Sequence, residues 1–244
     1  MALKKAIYAM IPARIGSSRL KMKNLALING KPLIYYAIQA AKESDVFDKI
    51  IINSDHQIFS EIADRYNVDF YPRPKKLGSS KTKSDEVVSD FINNYKKANI
   101  VAWVNPIAPF QTGDEINKII NYFIDNKLDS LITVEEKKVH CIFDKTPVNY
   151  SSDGFFEKTQ NLVPVKAFAY TLMIWRANAF KREYEKEKSA LFCGEFDTFT
   201  VNSLTGMIIK TQHDLLLADL LMSGFNNYKD KYQVQYHPLS LEIK

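Results

Sequence analysis

Apolar residues dominate positions 5–11 and stop at Pro12, a pattern that predicts a buried strand. The next helical spacing opens only past Gly30, at Lys31-Pro32-Leu33-Ile34-Tyr35-Tyr36-Ala37-Ile38, where Pro32 suits a first helical turn because its missing N–H costs little there. A second apolar run, Ile50-Ile51-Ile52, ends at Asn53-Ser54-Asp55, and Ser54 is the expected N-cap of a helix over 56–66. The alternation continues with a strand at 68–71, a helix over 84–97, a strand at 100–104 ending at Asn105-Pro106, a helix over 113–126 and a strand at 130–134. Strand and helix in turn imply a doubly wound, mostly parallel α/β sheet with helices on both faces. Ligands of such sheets bind beyond the carboxyl ends of the strands. That rule points to 12–24, Ser54-Asp55, 73–85 and 105–111 as candidate site segments.

The rhythm breaks over 135–164, which carries Pro147, Ser151-Ser152-Asp153-Gly154 and Pro164 and reads as an inserted arm. It resumes with a buried strand at 167–175, a charged helix over 177–188, a strand at 206–209 and a helix over 212–222, and residues 232–244 alternate like an edge strand. The expectation is one domain over 1–244 with a protruding arm at about 139–165.

Composition narrows the class. At 244 residues and 46% apolar content there is enough for one sizeable core, and no apolar run approaches the ~20 residues that cross a bilayer. No signal-peptide pattern opens the chain, and Cys141 and Cys193 lack the spacing of a disulfide framework, so the reading is a cytoplasmic protein with reduced thiols. The net charge of +5 is unevenly placed: residues 1–42 hold eight cations and no Asp or Glu, while the other 202 hold 25 cations against 28 anions. An anionic ligand near the N-terminal segment follows. Several chemistries are absent: there is no GxSxG, HExxH, P-loop or GxGxxG, and His56, His140, His213 and His237 lack ligand spacing. The basic residues crowd one loop instead of tracking a groove, which argues against nucleic acid.

The connection between the first strand and first helix is nearly twenty residues long, against ~2–6 for an ordinary βα loop. It reads Ile11-Pro12-Ala13-Arg14-Ile15-Gly16-Ser17-Ser18-Arg19-Leu20-Lys21-Met22-Lys23-Asn24, then Gly30-Lys31-Pro32-Leu33-Ile34. Small residues expose backbone donors, and an arginine with a lysine nine positions later supplies charge for a triphosphate. Nucleotidyl transfer needs such a site, because its catalysis is mostly positioning and charge stabilisation. These residues resemble the cytidylyltransferases that activate acidic keto-sugars, the acylneuraminate cytidylyltransferase (CMP-N-acetylneuraminate synthetase-like) family and, more distantly, CMP-Kdo synthetase. The match is to IPARxGSxRxxxKN followed by GKPLI. It continues through Phe47–Asp55, Arg73-Pro74, Ser84, and Asn105-Pro106-Ile107-Ala108-Pro109-Phe110-Gln111, which is similar to the family's QPTSPLR.

The resemblance implies CMP transfer from CTP to an acidic sugar with Mg²⁺ and release of pyrophosphate, in a homodimer whose dimerisation element is the arm. It implies catalytic phosphate contacts from Arg14 and Lys23, and CTP contacts from Ala13, Ser17, Asn24, Arg73, Ser84, Asn105 and Pro106. The metal ligands stay unassigned. Where the family carries a late pair of aspartates, this chain reads Ile208-Ile209-Lys210, and the alternatives are a lysine replacing part of the divalent charge electrostatically, or Mg²⁺ held by CTP and another carboxylate such as Asp55 or Asp85. The sugar-side RPNGA segment is replaced by Phe168-Ala169-Tyr170-Thr171-Leu172. Two other readings stay open: a CTP-binding relative with lost catalysis, and transfer to Kdo or a phosphorylated small molecule.

Overall fold

Successive residues of the first strand, β1 (Ile7–Pro12), face opposite sides of a sheet: Ala9 and Ile11 enter one apolar cluster, Tyr8 and Met10 another. The computed structural model describes residues 6–228, with the backbone alone for 225–228. After β1 come β2 (Leu27–Ile28), β3 (Lys31–Pro32), α1 (Leu33–Glu43), β4 (Lys49–Ser54), α2 (Ile58–Tyr66), β5 (Asp69–Pro72), α3 (Ser84–Asn94), β6 (Ile100–Val104), α4 (Gly113–Asp125) and β7 (Ser130–Lys137). The chain continues with β8 (Ile142–Phe143), β9 (Thr146–Pro147), β10 (Val165–Arg176), α5 (Ala177–Glu187), β11 (Phe196–Thr200) and α6 (Gln212–Tyr228).

Seven strands form one sheet in the order β11-β7-β10-β6-β1-β4-β5. All neighbours are parallel except β10, which runs antiparallel to both β6 and β7. The doubly wound, mostly parallel α/β expectation therefore holds. On one face Ile34, Ile38, Phe59, Ile116, Ile119, Ile120 and Phe123 bring α1, α2 and α4 onto the sheet. On the other, Val88, Phe91 and Ile92 of α3 and Phe180 of α5 pack with Ile51, Val101 and Trp175. Each such fully buried side chain is worth about 1.5–3 kcal/mol over an exposed one. Helices α1 and α4 approach so closely that a Cβ on Gly113 would stand 2.7 Å from backbone atoms of Glu43 and Ser44, so only glycine opens α4 there.

Several expectations are corrected. Ser54 does not cap α2: it ends β4, its hydroxyl accepts from the His56 N–H, and the helix begins at Ile58. The segment at 206–209 is not a strand; that side of the sheet is completed by β11, whose alternating Phe196-Asp197-Thr198-Phe199-Thr200 is only partly buried. The long connection after β1 folds into a 3₁₀ turn (Lys23–Leu25) and the β2–β3 hairpin. The expected edge strand at 232–244 lies outside the described residues. The stretch between β7 and β10 is an exposed arm with the β8–β9 hairpin, and it presents Ile142, Phe143, Phe155 and Phe156 to solvent. Both cysteines are free, and no described helix is long and apolar enough to cross a membrane.

One irregularity matters for the site. The register of β10 against β7 shifts between Phe168 and Met173, and within that bulge Tyr170 holds φ at +54°. A bulky residue in the left-handed region is strained and must be held there by its surroundings. The buried Thr133 hydroxyl does so by accepting from the Thr171 and Leu172 N–H groups at 3.0 and 3.2 Å, and the Gln111 amide donates to the Thr171 hydroxyl. The bulge lies beside the carboxyl end of β6, where the Asn105 N–H donates to the Thr171 carbonyl at 3.0 Å.

Candidate active site

Beyond the carboxyl ends of β1, β5 and β6, a cleft of about 330 Å³ opens. Its wall takes Pro12, Arg14, Lys23 and Asn24 from the long first connection, Arg73 and Ser84 from either end of the β5–α3 connection, and Asn105 and Pro106 from the end of β6. Of the nine residues singled out from sequence, seven therefore meet at one place. Ala13 is fully buried beneath it, and Ser17 stands outside the wall. Open space lies over the neighbouring Gly16, where an added Cβ would meet no atom within 4 Å.

The cations are held by backbone and by one carboxylate. Arg14 reaches across to donate to the Ser79 carbonyl at 3.3 Å, joining two loops over the cleft. The Lys23 ammonium donates to the carbonyl of Ile209 at 3.0 Å. Burial, helped by the neighbouring cations Arg19 and Arg14, pushes Lys23 down to about 8, with Asp214 pulling the other way and Lys210 adding to the fall. Arg73 is 5% exposed, and its guanidinium lies 3.7 Å from the Asp55 carboxylate, which also accepts from the Ile15 N–H at 3.1 Å. Gly78 must lack a side chain because a Cβ there would collide with that carboxylate.

The remaining polar groups divide into engaged and orphaned. Asn105 donates its amide to the Tyr170 carbonyl at 2.9 Å and accepts from the Ile107 N–H at 3.4 Å, so its side chain ties β6 to the bulge. Asn24 donates to the Arg14 carbonyl at 3.4 Å, while its oxygen finds no partner. The Arg73 Nε and the Trp103 Nε1 are likewise buried donors without acceptors. Buried polar groups are satisfied in the great majority of cases, and of the six such unpartnered side-chain atoms among the described residues three gather at this cleft. Ser84 is the first residue of α3, directly after the capping residue Lys83.

Sequence reasoning missed Leu77, Ser79, Ser80, Thr82, Val87, Trp103 and Ile107, which complete the wall. A signal existed for some. The first four fall in the 73–85 segment, and Trp103 sits two residues before Asn105 at a strand end. Ile209 could not be found that way, since its carbonyl meets Lys23 across 186 positions.

A divalent cation held by the protein does not fit these residues. Among the described residues no group of three or more His, Cys, Asp or Glu side chains comes together. Asp55 is committed to Arg73 and the Ile15 N–H, and the buried Asp85 accepts from the Ala190 N–H at 2.6 Å. At the late positions the half-buried Ile208 and the exposed Lys210 offer no side-chain carboxylate.

Comparison with known proteins agrees with this architecture. A 156-residue stretch is 30% identical to an N-acylneuraminate cytidylyltransferase of Escherichia coli, covering 64% of this chain and 37% of that protein. A pseudaminic acid cytidylyltransferase of Campylobacter jejuni is 32% identical over 132 residues, 52% of this chain and 57% of that one. The matches thus span between a third and three-fifths of those two relatives. Among solved structures, a CMP:2-keto-3-deoxy-manno-octonic acid synthetase complexed with CTP superposes with a TM-score of 0.72 over 90% of this chain and 99% of its own, at 15% identity, and shares the fold. The cytidylyltransferase family model matches residues 8–194, and the chain belongs to that family.

Proposed function

We propose that this protein transfers CMP from CTP to an acidic sugar of the nonulosonate type and releases pyrophosphate. The observation that carries the reading is the convergence of Arg14, Lys23, Asn24, Arg73, Ser84 and Asn105 on one cleft at the carboxyl ends of β1, β5 and β6. Two of these are cations that rest on backbone carbonyls, on the side where a triphosphate would lie. The sugar's anomeric hydroxyl oxygen forms a bond to the α-phosphorus, the bond from that phosphorus to the bridging oxygen breaks, and the hydroxyl proton leaves to water. Arg14 and Lys23 stabilise charge gathering on the departing pyrophosphate. Orphaned donors at Trp103 and Arg73 and the small polar Ser84 supply the nucleoside side.

The acceptor class rests on the similarity to enzymes named for N-acylneuraminate and pseudaminic acid. A single domain with a dimerising arm completes the reading: the exposed Ile142, Phe143, Phe155 and Phe156 are an apolar surface suited to a second copy. The setting is the cytoplasm, consistent with free thiols at Cys141 and Cys193. CTP labelled at the α-phosphorus, incubated with each acid, tests the function. Label appearing in a CMP-sugar supports it; label confined to CTP favours the second reading, nucleotide binding without turnover, for which Ile208 and Lys210 at the late positions are the motivating observation.

A further inference from the structure

The charges facing the cleft are of one sign. Arg14, Lys23 and Arg73 line it, and no Asp or Glu is in its described wall. Asp55 balances Arg73. Arg14 and Lys23 instead rest on the neutral carbonyls of Ser79 and Ile209, which neutralise no charge.

The late segment adds to this excess in a fixed position. Ile209 is fully buried, packs with Ile28, Leu33 and Ala218, and donates its N–H to the Ile107 carbonyl at 2.8 Å. The next turn is capped by Asp214, whose carboxylate accepts from the N–H groups of Lys210 and Thr211, both at 2.8 Å. Lys210 is therefore mounted between an apolar anchor and a capped helix start, with its side chain exposed and close enough to Lys23 to act on it electrostatically, as Arg19 and Arg14 do. Around Lys23 the one carboxylate that acts on it, Asp214, is held by the N–H groups of Lys210 and Thr211, and against it stand Arg14, Arg19, Lys23 and Lys210, so the net charge repels a dication and draws a triphosphate.

We infer that the cleft binds the triphosphate of CTP without a divalent cation, and that Lys210 is a phosphate-binding residue supplying part of the neutralising charge. This rests on the CTP reading above and deepens it. Burial first, and then the like charges of Arg19, Arg14 and Lys210 against the pull of Asp214, hold Lys23 below its ordinary value, and a bound polyanion would favour its charged form.

The test is calorimetric titration of the full chain with CTP and with CMP, once in EDTA and once in excess Mg²⁺. The expected result is CTP affinity in EDTA within about threefold of that in Mg²⁺, since the neutralising charge is supplied by side chains. Lys210→Ala should weaken CTP roughly tenfold while leaving CMP unchanged, because CMP lacks the outer phosphates, and Lys210→Arg should restore most of the loss. Lys210→Asp should make CTP binding dependent on Mg²⁺. Tight CTP binding in Mg²⁺ with none in EDTA would overturn the inference and leave the CTP reading standing. Binding in neither condition would overturn both. An unchanged CTP affinity in Lys210→Ala and Lys210→Asp would remove Lys210 from the site.

Discussion

The Lys23 ammonium donates to the Ile209 carbonyl at 3.0 Å and so joins the loop after β1 to the segment before α6. On the proposed reading this side chain both ties the two segments together at the cleft wall and supplies a charge to the departing pyrophosphate. Lys23→Ala removes both, and the loss of kcat/KM for CTP should be about 100- to 1,000-fold, the range typical of deleting one preorganised charge-stabilising donor. Steady-state pyrophosphate release measures it, and CTP affinity measured separately divides the loss between binding and chemistry.

Lys23 also gives binding a pH dependence of known sign. In the free protein it titrates at about 8, lowered by burial and by Arg19, Arg14 and Lys210 against the pull of Asp214. A bound polyanion favours the charged form and raises that value, so CTP binding takes up a proton at pH values between the two. Affinity should be level near neutrality and fall as pH rises through about 8, by at most roughly tenfold per pH unit. Lys23→Met should flatten the profile. Titrations in buffers of different ionisation heat report the proton uptake directly.

Gly78→Ala tests whether Asp55 positions the cleft. A Cβ at residue 78 would push the Asp55 carboxylate off the Ile15 N–H and away from Arg73, shifting the first loop and a buried cation together. CTP affinity or turnover should fall roughly 10- to 100-fold, the scale on which small misplacements act. An unchanged rate would mean that the pair is not coupled to the site.

Thr133→Val asks what holds the bulge in β10. Valine keeps the shape of the buried threonine but leaves the N–H groups of Thr171 and Leu172 without their acceptor. A loss of about 2–4 kcal/mol is expected for two orphaned buried donors, read from the urea midpoint. Because Asn105 leans on the Tyr170 carbonyl, activity should fall as well.

Much of this fold was legible in the pattern of apolar runs, and the reason is physical. Strands buried on both faces, such as Ile51-Ile52 and Ile100-Val101-Ala102, must be continuously apolar, and helices between them must carry apolar residues at helical spacing, as Ile116, Ile119, Ile120 and Phe123 do. The site was legible where the chain concentrates it, in the loop of Arg14 to Asn24 and at the ends of β5 and β6. What failed depended on tertiary partners. Edge strand β11 is half polar because it is only partly covered. Residues 206–209 read as a strand because Ile208 and Ile209 are apolar, yet Ile209 is buried against the β2–β3 hairpin and α6 instead of within the sheet. The bulge at Tyr170 depends on the Thr133 hydroxyl, 38 residues before the Thr171 N–H that it accepts from, and no local pattern encodes that.

CMP transfer to an acidic sugar is tested by pyrophosphate release from CTP in the presence of N-acylneuraminate, pseudaminic acid and 2-keto-3-deoxy-manno-octonic acid, with Arg14→Ala alongside. Release should depend on one of these acids and fall at least about 100-fold in the variant. Release independent of any acid, or undiminished in Arg14→Ala, would contradict it.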